Sequence, residues 1–304
     1  MTAPAWDVVG LGENSVDDVY RIPASPGPNL KLPVSAHHVF YGGQVATTLA
    51  TCASFGLRAT YIGAFGSGEH GVRLRAVLEQ RRVDLSHAVV RRAANRHAVI
   101  LVDERTGDRT VLWERDARLA LTPEEIPRTL ISRARLLHID DVDESAALAA
   151  AEVARAAGLP VTSDLDRVAD RTEALVTAVT IPIFAEHVPA ALTGESDLER
   201  GLRKLRRAHH LMLCVTLGAR GAIVLEGDRV HHVAATPVNV VDATGAGDVF
   251  RGAFIYALLR GDAPVDILRF ANTAAACSCT RSGALDGVPT LDEVARAMAT
   301  TRTI

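Results

Sequence analysis

Short apolar runs recur along the chain, and between them apolar residues return every third or fourth position. WDVVGLG, ATYIG, LLHID, LPVTSD, TIPIF and LMLCVTLG are runs of strand length, rich in Val, Ile and Leu and without polar alternation. Such runs are expected for strands buried on both faces. The intervening segments 43–55, 69–80, 144–157 and the stretch after Arg167 carry helical spacing, and Gly56 closes the first of them. Thr122-Pro-Glu-Glu reads as a helix start, with a Thr cap, Pro at the first helical position and Glu125 at the third. The alternation predicts an α/β fold, a doubly wound and mainly parallel sheet. Ligands of such sheets sit beyond the carboxyl ends of the strands. Asp17, Asp140, Asp141, Asp164 and Gly218 fall just past predicted ends.

One segment departs from this rhythm. HAVILVDERTGDRTVLWER alternates with period two about the turn Thr106-Gly107-Asp108 and predicts a β-hairpin, with Val99, Leu101, Val111 and Trp113 suited to one buried face. VYRIP and HHVFYGG read as further short strands outside the main sheet. Together they predict a small β-sheet lid formed by about 17–43 and 96–116. AIVLEGDRVHHVA predicts a second hairpin, turning at Gly227-Asp228. No repeat or low-complexity linker divides the chain, so residues 1–304 are expected to form a single domain.

Composition narrows the function. A chain of 304 residues that is 48% hydrophobic can bury a large core. Its formal net charge is −3 and its charges are mixed, with no basic stripe for nucleic acid and no apolar run long enough to span a membrane. The start, MTAPAWDVVG, lacks the pattern of a signal peptide, and a cytoplasmic location is expected. Cys52, Cys214, Cys277 and Cys279 read as small buried hydrophobes in a reducing compartment. The doubled histidines His37-His38, His209-His210 and His231-His232 read as strand and loop surface. Lysine occurs only at Lys31 and Lys204, and no G-x-x-x-x-G-K-[ST] loop exists. Phosphate binding here therefore falls to backbone N–H groups and arginine.

The stretch VDATGAGDVFRGAFIYALL supplies a place for it. A helix start leaves N–H groups unpaired and carries partial positive charge. Gly245, Ala246 and Gly247 barely shield those groups, and glycine lets them converge, which makes an anion cradle. Asp248 stands at its lip, where a carboxylate can take a proton from an attacking hydroxyl. A plain helix cap is the other reading of Asp248 alone.

The ordered series GLGENSVD, YGGQVATTLATCASFGL, the lid hairpin, TLGARG, DATGAGD and RFANTAAACSCTRSGA resembles the ribokinase-like (PfkB) family of carbohydrate kinases over essentially the whole chain. The resemblance implies phosphoryl transfer from ATP, handled with Mg²⁺, to a hydroxyl of a small sugar. Carried over by motif, Asp248 matches the general base, and Gly245, Ala246 and Gly247 the anion hole. Asp17, Gly42, Gly43 and Thr47 match sugar-binding positions, and Thr216, Gly218, Gly221 and Asn272 nucleotide-binding ones. A monovalent-cation site, for K⁺, is implied near Asp242 and the loop 280–284.

Two departures stand out. Thr47 replaces an Asn common in the family, and the N-x-x-E that organises Mg²⁺ is replaced by Ala185 and Val188, leaving Glu186 as the nearby carboxylate. FAEHVPAALTG and RFANTAAACSCTRSGALDGVP resemble members similar to sulfofructose kinase and, more loosely, ketohexokinases. An anionic sugar needs a cationic side chain in its pocket, whereas HIDDVDES offers Asp140, Asp141 and Asp143, so an uncharged or amino-bearing sugar is expected. His138 reads as a pocket donor or a core histidine. A nucleoside kinase, with Phe40-Tyr41 as base platform, and a non-catalytic binding protein are the alternatives. A lid too small to bury its own face predicts closure over the sugar and a lid-to-lid homodimer.

Overall fold

The computed structural model describes residues 4–106 and 108–301. Its strands are β1 (Trp6–Leu11), β2 (Ser15–Ile22), β3 (Ala36–Gly42), β4 (Ala59–Ile62), β5 (Ala64–Gly66), β6 (Val83–Asp84), β7 (Val89–Arg91), β8 (His97–Asp103), β9 (Arg109–Glu114), β10 (Ala134–Asp140), β11 (Val161–Asp164), β12 (Ile183–Ala185), β13 (Leu213–Thr216), β14 (Ala222–Glu226) and β15 (Arg229–Val233). The helices are α1 (Gln44–Ser54), α2 (Glu69–Gln80), α3 (Arg128–Ser132), α4 (Glu144–Ala156), α5 (Thr172–Ala178), α6 (Val188–Thr193), α7 (Leu198–Leu205), α8 (Ala246–Arg260), α9 (Pro264–Ser278), α10 (Ala284–Gly287) and α11 (Leu291–Thr301).

The strands of the central sheet run β6-β4-β1-β10-β11 and β12-β13-β14-β15. Parallel bridges Thr162–Ile181 and Leu165–Phe184 join the two halves. Pairing is parallel as far as β13 and antiparallel from β13 to β15. Because strand side chains alternate faces, adjacent residues feed opposite layers. Val8 and Leu136 join α1, α8 and α9 on one side, while Val9 and Leu137 join α4, α5 and α7 on the other. This is why the strands are apolar throughout: both faces are covered. At Thr122 the expected helix is only a 3₁₀ turn, Pro123–Glu125, in which Glu125 accepts from Thr122 N–H at 2.9 Å. Pro127 then separates this turn from α3.

The lid is a separate sheet, β3-β2-β8-β9. Parallel β2–β8 pairing sets Asp17 against Ala98, and antiparallel β8–β9 pairing sets Ala98 against Trp113. Ala98 and Ile100 are the buried apolar residues of β8, so the expected buried face is corrected by one position: Val99 and Leu101 lie on the opposite, half-buried side. The whole of β9 is exposed. Period two shows that two faces differ, and the packing partner decides which is covered. Gly107, in the expected hairpin turn, lies outside the described residues.

Helix α8 is positioned by its contact with α1. A Cβ on Gly252 would lie 2.6 Å from Thr51 Cβ and 2.7 Å from the Thr48 carbonyl oxygen. Thr48 Oγ1 donates to the Asp248 carbonyl at 3.1 Å. The small residues of α1 therefore set the depth at which Asp248 is held. Gly252→Ala is expected to destabilise the protein by about 1–3 kcal/mol through overpacking, read from the urea midpoint. An unchanged midpoint would show that α1 and α8 separate at no cost.

Candidate active site

The turn at the start of α8 lies between two cavities. Gly245 adopts φ 77°, in the left-handed region, and a Cβ there would meet Ala284 Cβ at 2.6 Å. Glycine is thus required both by conformation and by space. Ala246 N–H donates to the Ala243 carbonyl at 3.2 Å. The N–H groups of Gly245, Gly247 and Asp248 have no acceptor among the described residues. The open donors are consequently those of Gly245, Gly247 and Asp248, a shift of the expected anion hole away from the Ala246 N–H. Asp242 fixes the approach to this turn. Its carboxylate accepts from Thr244 N–H at 2.9 Å, Thr244 Oγ1 at 2.7 Å and Gly283 N–H at 2.9 Å. Although burial works the other way, these donors hold its pKa low. Arg109, from the lid, donates to Thr244 Oγ1 at 2.8 Å.

The first cavity, of about 380 Å³, is lined by Glu13, Asp17, Gly43, Arg96, Trp113, Asp166, Arg167, Gly245 and Asp248. Arg96 lies 3.2 Å from Asp17 and 3.4 Å from Glu13, and its guanidinium is 6.0 Å from the Trp113 ring centroid. Burial raises the pKa of both Glu13 and Asp17, and Arg96 opposes it in each case. Gly43, with φ 105°, caps α1 at the cavity wall, where a Cβ would strike the Asn14 backbone at 2.4 Å. Thr47 is fully buried, with Oγ1 lacking a partner, and Gly42 packs on Ala284. Neither lines the cavity. The second cavity, of about 550 Å³, is mostly apolar and includes Thr216, Gly218, Gly221, Ala246, Gly247 and Asn272. Asn272 donates to the carbonyls of Val233 and Ala234 at 2.9 and 3.2 Å, so its side chain shapes the wall. Gly221 permits the hairpin to close, since a Cβ there would lie 2.0 Å from the Val233 oxygen.

Behind Asp248 lies a charged cluster that sequence reasoning left unassigned. Arg251, one turn along α8, pairs with Asp164 of β11 at 2.6 Å, and their side chains are 4% and 2% exposed. Burial pushes the Asp248 carboxyl well above the usual carboxylate range; Asp164 reinforces this and Arg251 opposes it. Burial likewise pushes Asp164 up to about 7. His138 is a core histidine, bonded through Nδ1 to Thr162 Oγ1 at 3.0 Å and held near 3 by burial.

The acidic run is used elsewhere, which corrects the expectation that it lines the pocket. Asp140 accepts from Glu13 N–H at 2.6 Å and Val142 N–H at 3.1 Å. Asp141 accepts from Asp166 and Arg167 N–H groups at 2.9 and 2.8 Å. Asp143 binds Arg115 at 2.8 Å and Leu121 N–H at 3.1 Å. All three carboxylates are spent on loops after β1, β9 and β11. Glu186 is exposed, pairs with Arg220 and lies outside both cavities. His210 is buried rather than superficial, bonded to the Val176 carbonyl at 2.8 Å. Phe40 packs against Gly283, away from the first cavity. No helix among the described residues is long and apolar enough to cross a membrane.

The model of the pfkB family carbohydrate kinases matches residues 7–291. Fructokinase-1 of Oryza sativa subsp. japonica is 31% identical, with 96% of this chain and 97% of that protein covered. A protein of Agrobacterium tumefaciens assigned as a ribokinase superposes with TM-score 0.88 at 29% identity, covering 98% of this chain and 99% of the other. The ribokinase of Arabidopsis thaliana, complexed with ribose and ATP, gives TM-score 0.84 at 22% identity, covering 98% and 99%.

With Asp248 as the base proposed below, which must lose its proton to act, activity is expected to rise with pH through the raised pKa of the Asp248–Asp164 pair. The acid limb of kcat/KM should therefore lie well above the ordinary carboxylate value. Asp164→Asn removes the charge that raises Asp248 and leaves Arg251 beside it. Its acid limb should move to lower pH. A limb that stays in place or moves up would contradict the assigned coupling.

Proposed function

We propose, from the premise that the chain belongs to the pfkB family of carbohydrate kinases, that this ATP-dependent sugar kinase phosphorylates a primary hydroxyl of an uncharged pentose or hexose. The observation that carries the reading is Asp248 on the first cavity, in a turn of open N–H donors whose Gly245 lines the first cavity and whose Gly247 lines the second. Phosphoryl transfer needs alignment and charge stabilisation more than covalent help from the protein. The sugar occupies the first cavity, with Asp17, Glu13 and the Gly43 backbone as hydroxyl partners. The adenine nucleotide occupies the second, among Thr216, Gly218, Gly221 and Asn272, with its phosphates directed at the turn. Asp248 takes the hydroxyl proton as the oxygen attacks the γ-phosphorus, the bond from that phosphorus to the bridging β-phosphate oxygen breaks with ADP as the leaving group, and the helix start offsets the developing charge.

The choice of an uncharged sugar now rests on the cavity itself. Both lining arginines are already paired, Arg96 with Glu13 and Asp17, and Arg167 with Asp141. This leaves hydroxyl acceptors but no free cation for an acidic group. Relatives named fructokinase and ribokinase support the same class. A nucleoside acceptor gains support only from Trp113, whose ring borders the cavity.

Mg²⁺ accompanies ATP and offsets its phosphate charge. In this reading Glu186 is the carboxylate that would help hold it, which would require Glu186 to leave Arg220. Asp242 joins the loops that a K⁺ ion would share. Leu112, exposed by 58% on the face of β9 opposite Trp113, supplies apolar surface for a lid-to-lid homodimer.

Asp248→Asn is expected to lower kcat at least about a hundredfold while nucleotide affinity, measured by calorimetry, is retained. Near-normal turnover would remove Asp248 as the base. ATP turnover against ketoses, aldoses, amino sugars and nucleosides tests the substrate class; preference for a nucleoside would overturn it. Equal rates in sodium and potassium buffers would exclude K⁺ stimulation. Light scattering should give a dimer for the native chain and a monomer for Leu112→Glu. A native chain that stays monomeric at all concentrations would contradict the interface.

A further inference from the structure

The lid face turned away from the acceptor carries a second cluster of side chains. Neighbouring strand residues point to opposite faces, so Asp17 and Arg96 serve the acceptor cavity while Asp18 and His97 do not. Asp18 Oδ2 lies 2.6 Å from His97 Nε2, and its Oδ1 lies 2.6 Å from His37 Nε2. The ring of His70, in the first turn of α2, stacks on His97 with centroids 5.0 Å apart and an interplanar angle of 21°. His70 makes no side-chain hydrogen bond among the described residues. One ligand atom from each of Asp18, His70 and His97 falls within 4.8 Å of the others.

We propose that Asp18, His70 and His97 bind one divalent transition-metal ion of the zinc class, joining the lid to the body of the protein. Two imidazoles and a carboxylate are the donor set of such ions, with a water completing four positions. Magnesium and calcium instead select oxygen donors. Bond lengths of about 2.0–2.2 Å place ligand atoms in a tetrahedral site roughly 3.3–3.6 Å apart. The site thus forms by drawing His70 inward and opening the Asp18–His97 contact slightly. His37 on the other carboxylate oxygen is the outer partner that orients Asp18.

The three ligands come from β2, β8 and α2. The first two belong to the lid sheet, and α2 packs on β5 and β6 of the body. A bound ion therefore fastens the lid to the body at its rim, apart from Asp17 and Asp248. That consequence rests on the proposed lid closure, whereas the binding site does not.

The test uses untagged, nucleotide-free, full-length protein. Zn²⁺ affinity is measured by competition with a chromophoric chelator, and Co²⁺ by its absorption spectrum. The native chain should bind one ion, with d–d bands of a tetrahedral nitrogen–oxygen site. His70→Ala and His97→Ala should each weaken binding by at least about tenfold, with unchanged urea midpoints showing that both fold. Equal affinity in either variant would overturn the site, as would native binding weaker than about 1 mM. A thiolate charge-transfer band would also overturn it by placing the ion on Cys277 and Cys279. Protease cleavage of the hairpin is read separately: Zn²⁺ should slow it in the native chain and not in His70→Ala. Unchanged cleavage with intact binding would reject the lid fastening and leave the metal site standing.

Discussion

The start of α8 is the constraint on which the site depends. Gly245 must turn left-handed against Ala284 with no room for a side chain, and Asp242 holds the same turn to the 283 backbone through its carboxylate. Gly252 then lets α8 descend onto α1, which fixes how far Asp248 projects. Substituting any of these three residues displaces the open N–H groups and the carboxylate together. An anion site made of backbone is accurate only while the backbone is held, because no flexible side chain can correct its position.

Asp248 gains its chemistry from what lies behind it. Burial already raises its carboxyl, Asp164 raises it further, and Arg251 works in the opposite direction. The Asp164–Arg251 pair is almost wholly buried. Removing one partner of such a pair commonly costs about 3–5 kcal/mol because the other charge is left buried and unpaired, whereas replacing both by well-packed hydrophobic residues is often neutral or stabilising. Its place next to the proposed base gives a reason for its presence that packing does not.

Much of the fold could be read from hydrophobic spacing, because β1, β4, β10 and β13 are covered on both faces and α2 on one. The turn at 245–247 was legible because its residue types admit few other uses at a helix start. Contacts between distant segments were not. Arg96 meets Glu13 and Asp17 only once β8 has paired with β2. Asp140, Asp141 and Asp143 stand at the strand end where a pocket is expected, yet their partners are backbone N–H groups and two arginines, Arg115 and Arg167. Trp113 was legible as an apolar lid position but not as a wall of the first cavity. The histidines at 37, 70 and 97 share no spacing in sequence and meet only through the lid sheet and α2. Backbone satisfaction and cross-sheet pairing decided each of these, and neither leaves a local pattern.

The central claim is that acceptor and nucleotide meet across the turn from Gly245 to Asp248. A crystal structure with a hexose substrate and a non-hydrolysable ATP analogue measures this directly. The terminal phosphate should lie within hydrogen-bond distance of the Gly247 and Asp248 N–H groups, with one primary hydroxyl between Asp248 and the γ-phosphorus. A sugar whose hydroxyls all lie beyond reach of Asp248, or a nucleotide with phosphates directed away from the turn, would contradict it.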